Sequence, residues 1–363
     1  MKHYTIPLVP GPVRVRPETL AAYGHDYGSA DLEPEFIALY RETCGQLQQI
    51  MSTKHDVIVT LGEAMAMLWG GIKSAVGPQD RVLVISSGLF GAGFADMAKV
   101  VGADVRVIEC DYDAVPDPDA VAAAAREYRP TFATMVHCET PCGTLTPVEA
   151  VGKRLREVAP DVLFLVDAVA SIGGAALDTD AAEIDFCLLG SQKCLSAVPD
   201  LGIVAISERG WARVESLGYE GYDAFAPFRH AADKHYFPYT HSWHAVAAMN
   251  AACTALLDEG LAASYARHAR VAQRWRDAAR ELGLELYPRR EADSSPTVTA
   301  LKMPAGLDWP TLNARLREQG MVVGGNYGAL AGKIFRIGHM GTQATDDLFE
   351  RGTATLRKVL GRR

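Results

Sequence analysis

LFLVDAVASIGG at residues 163–174 and FCLLGSQKCLSAVPDLGIVAIS at residues 186–207 decide how this chain reads. Each opens with an apolar run too short for a helix and closed by polar or glycine-bearing residues, which is the pattern of a buried strand. The first predicts a strand over Leu163–Asp167, the second strands over Phe186–Leu189 and Gly202–Ser207. Upstream the pattern recurs at Val57–Thr60, Arg81–Ile85, Asp104–Ile108 and Thr131–His137. Alanine-rich amphipathic stretches lie between them, at Ala64–Ala75, Gly93–Val101, Pro118–Tyr128 and Pro147–Val158. Strand–helix alternation at this spacing predicts an α/β fold, a mostly parallel sheet sandwiched by helices. Ligands in such sheets sit beyond the carboxyl ends of the strands.

From about residue 244 the pattern changes. Two long helical stretches, His244–Asp258 and Leu261–Leu282, precede short strands near Leu284–Tyr287, Thr297–Met303, Met321–Gly324 and Ile334–Ile337, a helix beginning near Trp309 and a last helix from Thr345. These predict a smaller C-terminal α+β domain. The expected division is an N-terminal segment over 1–30, a large domain over 31–245 and a small domain over 246–363. The stretch over 215–238 is aromatic-rich and irregular, and excursions of that length often carry function.

The 363 residues exceed what one hydrophobic core usually organises, which agrees with two domains. Apolar residues make up 48% and charged residues 22%, the balance of a folded soluble enzyme rather than a disordered chain. The net charge of −8 argues against a nucleic-acid partner. No apolar run approaches the roughly 20 residues of a membrane helix, and the N-terminal stretch has no secretion-signal pattern, so a cytoplasmic location is expected. The seven cysteines show no CxxC and no zinc spacing, so reduced thiols and no metal are expected.

Asp167 ends one apolar run, and Lys193 follows another among small residues. Taken singly, Asp167 reads as a helix cap or turn residue and Lys193 as a surface lysine. Together, 26 positions apart and expected at the ends of neighbouring or nearby strands, they supply what pyridoxal phosphate chemistry needs. The lysine amine forms the Schiff base, and the carboxylate keeps the pyridine nitrogen protonated.

With these residues the chain resembles the class V aminotransferases of pyridoxal 5′-phosphate (PLP) fold type I, the family of alanine–glyoxylate and serine–pyruvate aminotransferases. VPGP at 9–12, HCETPCGTLTP at 137–147, VDAVASIGG at 166–174, GSQKCL at 190–195 and FRIGHMG at 335–341 stand in the family's order. The resemblance implies Lys193 as the Schiff-base lysine and Asp167 as its pyridinium partner. Phe90 and Val169 would face the two sides of the ring, and Thr140 the ring hydroxyl. Gly62, Glu63 and Ala64 would form the phosphate turn, with Gln192 a further phosphate contact. Thr240 would reach the phosphate of a second subunit, which implies a homodimer with shared active sites. Arg336 would grip the substrate carboxylate, with Gly11 beside it. The implied reaction moves an amino group from a small amino acid such as alanine or serine to a 2-oxo acid such as pyruvate or glyoxylate.

One position departs from the pattern. TLGEA at 60–64 puts Glu63 where a phosphate dianion is expected, and like charges in contact oppose each other by roughly a few kcal/mol. The alternative is a transaminase that takes unphosphorylated pyridoxamine and pyruvate as substrates. Relatives of that kind share the GE pair, the stretch Phe90–Phe94, KCL and RIGHMG. A desulfurase-type lyase on the same scaffold would need a mobile cysteine opposite Lys193, and none is evident.

Overall fold

A computed structural model describes residues 4–362. The chain begins with β1 (Ile6–Leu8), α1 (Pro17–Tyr23) and α2 (Pro34–Ile50). Alternation then sets in: β2 (Asp56–Leu61), α3 (Ala64–Ala75), β3 (Arg81–Ser86), α4 (Leu89–Val100), β4 (Asp104–Glu109), α5 (Pro118–Tyr128) and β5 (Phe132–Val136). A small hairpin, β6 (Cys138–Glu139) and β7 (Thr144–Leu145), precedes α6 (Val148–Val158), β8 (Leu163–Asp167), β9 (Phe186–Gly190) and β10 (Leu201–Ile206). Helices α7 (Glu208–Leu217), α8 (Ala231–Lys234), α9 (Trp243–Glu259) and α10 (Leu261–Glu281) follow. The chain closes with β11 (Val298–Lys302), α11 (Trp309–Glu318), β12 (Met321–Val323), β13 (Ile334–Gly338) and α12 (Asp346–Leu360). Side chains of Asp117, Ser207, Ser242, Asp308 and Thr345 cap α5, α7, α9, α11 and α12, each accepting a first-turn N–H.

Seven strands form the central sheet in the order β2-β10-β9-β8-β5-β3-β4. Only β10 runs against its neighbours; the β9–β8–β5–β3–β4 pairs are all parallel. The residues of β5, β9 and β10 are buried throughout, which requires cover on both faces. Helix α3 packs on β9 and β10, α4 on β3 and β4, and α2 on β2. The strands predicted from the sequence are present within about two residues at each end, except Leu284–Tyr287, which contributes only an isolated bridge from Leu286 to Leu301.

The apolar cores divide the chain differently from the boundary drawn at residue 246. Val246, Met249, Cys253 and Leu256 of α9 join the large core, where α9 packs on α1 and α2. A second core holds Val271, Trp275, Phe335, Ile337 and Leu356 together with Ile6 and Leu8. β1 pairs in parallel with β12, and β11 pairs antiparallel with β13. We therefore assign α9 to the large domain, and β1 with α10–α12 to the small one. The N-terminal segment leaves that small core and crosses to the centre of the sheet.

Candidate active site

The carboxyl ends of five strands meet at one place. Strands β2, β3, β5, β8 and β9 all point the same way, and each is followed by a residue singled out from the sequence. Glu63, Ala64, Phe90, Thr140, Asp167, Val169, Gln192 and Lys193 line a single pocket with about 470 Å³ of empty space. Met65, Leu68, Cys138 and Ala170 complete its wall. Asp167 ends β8, and Lys193 lies three residues beyond β9, the parallel neighbour of β8.

The lysine amine Nζ donates to the carbonyl of Pro10 at 2.7 Å. Gly11 follows at φ +87°, and a Cβ there would lie 2.5 Å from Lys193 Cδ and 2.6 Å from Nζ. Only glycine fits at that point. Burial lowers the pKa of Lys193, the nearby Arg336 cation lowers it further, and Asp167 opposes both. Burial pushes Asp167 up to about 6, while the Val169 N–H, donating to Oδ1 at 2.9 Å, and Lys193 pull it back. The pocket thus sets a carboxyl beside an amine that gives up its proton more readily than an exposed lysine.

The raised value at Asp167 has a definite sign. An acid that binds its proton more tightly when folded adds stability below its unfolded pKa of 3.8, and this is lost as pH rises through about 6. In the ring-free protein, stability is expected to fall on the order of 3 kcal/mol over that window from this group. Urea denaturation at pH 4 and pH 7 checks it: Asp167→Asn should flatten the difference, and an unchanged difference would refute it.

Arg336 lies on β13, buried, at 6% exposure. Its Nε and Nη2 donate to the carbonyl of Gly325 at 2.8 and 2.6 Å, and the ring of Tyr327 lies 5.3 Å from its guanidinium carbon. Burial lowers its pKa, and the groups acting on it are Tyr327 and Cys142, with no carboxylate among them. A buried cation without a carboxylate is costly, and an anionic occupant relieves the cost.

At the other end of the pocket, Gly62 turns at φ +113° from β2 into α3. The Glu63 side chain then occupies the helix start. Its Oε1 accepts from the Met65 N–H at 2.9 Å, and its Oε2 from Gln192 Nε2 at 3.1 Å. Gln192 Oε1 is buried without a partner. The amides and dipole that would favour an anion therefore already hold a carboxylate.

Thr240 does not reach this pocket. Its hydroxyl donates to Asp31 at 2.8 Å on an exposed face. Phe237 is buried among Phe36, Tyr40 and His241, whereas the Tyr239 hydroxyl accepts the Leu61 N–H at 2.9 Å beside the Gly62 turn. His339 bonds Thr299 at 2.9 Å, and His137 bonds Ser171 at 2.9 Å. Burial holds His339 at about 3 and His137 at about 4, so both stay neutral.

Comparison with known proteins meets this geometry. The family description "Aminotransferase class-V" matches residues 17–336. The chain belongs to the class-V aminotransferases. It is 32% identical over 346 residues to pyridoxamine–pyruvate transaminase of Mesorhizobium japonicum, spanning 93% of this chain and 87% of that protein. The pyridoxamine–pyruvate aminotransferase of Mesorhizobium loti superposes with a TM-score of 0.95 at 30% identity, covering 100% of this chain and 94% of the other. An alanine–glyoxylate aminotransferase of Nostoc superposes with 0.94 at 29% identity, covering 99% and 96%. The fold and the enzyme class read from the sequence are those of this family, and the family implies PLP.

Two residues of this aminotransferase escaped the reading of its sequence. Glu139 sits inside the HCETP motif and is fully buried at the site, yet a carboxylate beside a motif threonine carries no sign of its partner. Pro10 offers only a carbonyl, and a backbone acceptor for the lysine has no sequence signal. Among the described residues, no cluster of three metal-ligating side chains occurs, and no helix is long and apolar enough to cross a membrane.

Proposed function

We propose that this class-V aminotransferase exchanges an amino group between a small neutral amino acid, with its 2-oxo acid, and a pyridoxal-type ring held at Lys193. The observation that carries the reading is the pairing of Lys193 and Asp167 on one pocket. Phe90 and Val169 are suited to the two faces of a planar ring, and Thr140 to its hydroxyl. A bound ring supplies an aldehyde carbon for the amino group and a sink for the charge left on the substrate α-carbon. Asp167 holds the proton on the ring nitrogen. Lys193 Nζ, whose pKa is lowered by burial, takes the proton from the substrate α-carbon and returns it on the reverse pass. Pro10 orients that amine. Arg336 takes the substrate carboxylate by two charge-assisted hydrogen bonds, which suits pyruvate or glyoxylate as acceptor.

The family implies PLP, and the ring end of the pocket suits it. The other end favours the ring without its phosphate. A unit charge 4 Å from a dianion is opposed by roughly 8 kcal/mol at an effective dielectric near 20, before the helix start offsets part of it. Glu63 and the unpartnered Gln192 Oε1 are acceptors, and a hydroxymethyl group donates to either. Free pyridoxamine as amino donor and pyruvate as acceptor is therefore the finer reading, and the 32% identical transaminase supports it. Absorbance titration tests it. Wild type should develop a visible band with pyridoxal at lower concentration than with PLP. Glu63→Gln should shift that preference toward PLP by about 10²-fold. Tighter PLP binding in wild type, unmoved by Glu63→Gln, would return the chain to a PLP-loaded alanine or serine aminotransferase.

A homodimer belongs to the same proposal. Thr240 faces outward, and Leu32, Tyr222 and Tyr236 are 82%, 72% and 72% exposed, large apolar surface that a second copy would cover. Light scattering should return twice the mass of the chain, and the mass of one chain would refute it.

A further inference from the structure

Glu139 is a carboxyl enclosed in the wall of the site, and the chemistry above leaves it unused. Its Oε1 accepts the N–H of Gly91 at 2.6 Å, and its Oε2 the N–H of Phe90 at 3.3 Å. These are first-turn amides of α4, whose preceding residue, Gly88, has no side chain to cap them. The carboxylate comes instead from β6, far along the chain, and meets the positive end of the helix dipole. The backbone clears room for it. A Cβ on Gly88 would lie 2.5 Å from Glu139 Cδ, and one on Gly91 3.1 Å from Oε1. Phe90 stands between these glycines. Its ring lines the pocket and meets Tyr327 edge-on, with centroids 6.3 Å apart. On the other side, the Glu139 carbonyl accepts the N–H groups of Cys142 and Gly143 at 3.1 and 2.8 Å, closing the turn that carries Thr140.

We propose that Glu139 is a positioning residue: its carboxylate fixes the backbone of Phe90, so that the aromatic side chain forms a rigid wall of the ring slot in register with Thr140. The proposal rests on the function above in one respect, that Phe90 faces a bound ring. Phe90 itself is the contact, and Glu139 acts through it. Burial and the Asp167 charge raise the pKa of Glu139, and the two N–H donors pull it back toward the ionised form.

A double-mutant cycle separates this role from general support of the fold. The readout is spectroscopic titration of the ring-free chain with pyridoxal, and separately with PLP. Glu139→Gln keeps the shape but turns a donor toward one of the amides. It should weaken binding about tenfold in the wild-type background and less than twofold in Phe90→Ala. Equal losses in both backgrounds would overturn the proposal. Where Glu139→Gln does not fold, Glu139→Asp, which keeps the charge on a shorter arm, takes its place in the same cycle. Hydrogen–deuterium exchange of the ring-free chain gives a second readout. Residues 89–94 should exchange at least about tenfold faster in the variant than in wild type, with the rest of α4 little changed. Unchanged exchange there would overturn the clamp. Should wild type bind neither ring, the functional reading fails on its own, and exchange at Phe90 and Gly91 still decides whether the clamp exists.

Discussion

Lys193→Ala is expected to lose transamination by at least about 10⁴-fold and to form no visible band with pyridoxal or PLP. Removing a positioned general base alone costs about 10²–10⁴-fold, and here the same amine is also the nucleophile toward the ring. The fold should not suffer. Among the described residues the amine bonds only the Pro10 carbonyl, and no carboxylate pairs with it within 4 Å. Taking away a partly buried, poorly paired amine removes a desolvation cost along with one hydrogen bond. The melting temperature should therefore stay within about 2 °C of wild type. Turnover by Lys193→Ala at a rate near that of wild type would sink the assignment, and a collapsed melting temperature would make the lysine structural instead.

The central strands β5, β9 and β10 were legible because both of their faces are covered, so each reads as a short, nearly unbroken apolar run. The juxtaposition of Asp167 and Lys193 was legible because each closes an apolar run, and β8 and β9 are parallel neighbours whose ends meet at one pocket. What escaped depends on partners distant in sequence. Helix α4 was expected from Gly93 and begins at Leu89, because the Glu139 carboxylate satisfies amides that no local residue could. A glycine at the helix start and two more inside it read locally as a loop. β1 went unmarked within the N-terminal segment, since three residues pairing with β12 leave no periodicity to detect. Helix α9 was placed with the small domain on composition, but its alanine-rich surface lets α1 and α2 approach closely, and packing decides where it belongs. Glu63 was legible as a conflict of charge. Its bonds to Met65 and Gln192 became visible only once the strand ends were brought together.

Arg336→Met should separate function from stability most clearly, because the two effects carry opposite signs. Wild-type Arg336 is a buried cation whose guanidinium has a carbonyl and an aromatic face beside it, and among the described residues it forms no ion pair with a carboxylate. Replacing a buried charge by an apolar side chain of similar volume is commonly neutral or stabilising by about 1–4 kcal/mol. The Gly325 carbonyl loses its two donors, which offsets part of that gain. The variant is expected to melt at or above the temperature of wild type. A 2-oxo acid, in contrast, loses two hydrogen bonds from a charged donor, each worth about 1.5–3 kcal/mol, so kcat/KM for pyruvate should fall about 10²–10⁴-fold. Arg336→Lys should recover little of this, because an ammonium cannot present two parallel donors to a carboxylate. Ring binding in the absence of the oxo acid should hardly change, since Arg336 lies outside the pocket that Lys193 and Asp167 share. A variant that melts well below wild type would make Arg336 a structural ion. One that keeps its kcat/KM for pyruvate would move carboxylate recognition elsewhere, and Tyr327, between Arg336 and Phe90, would be the first place to look.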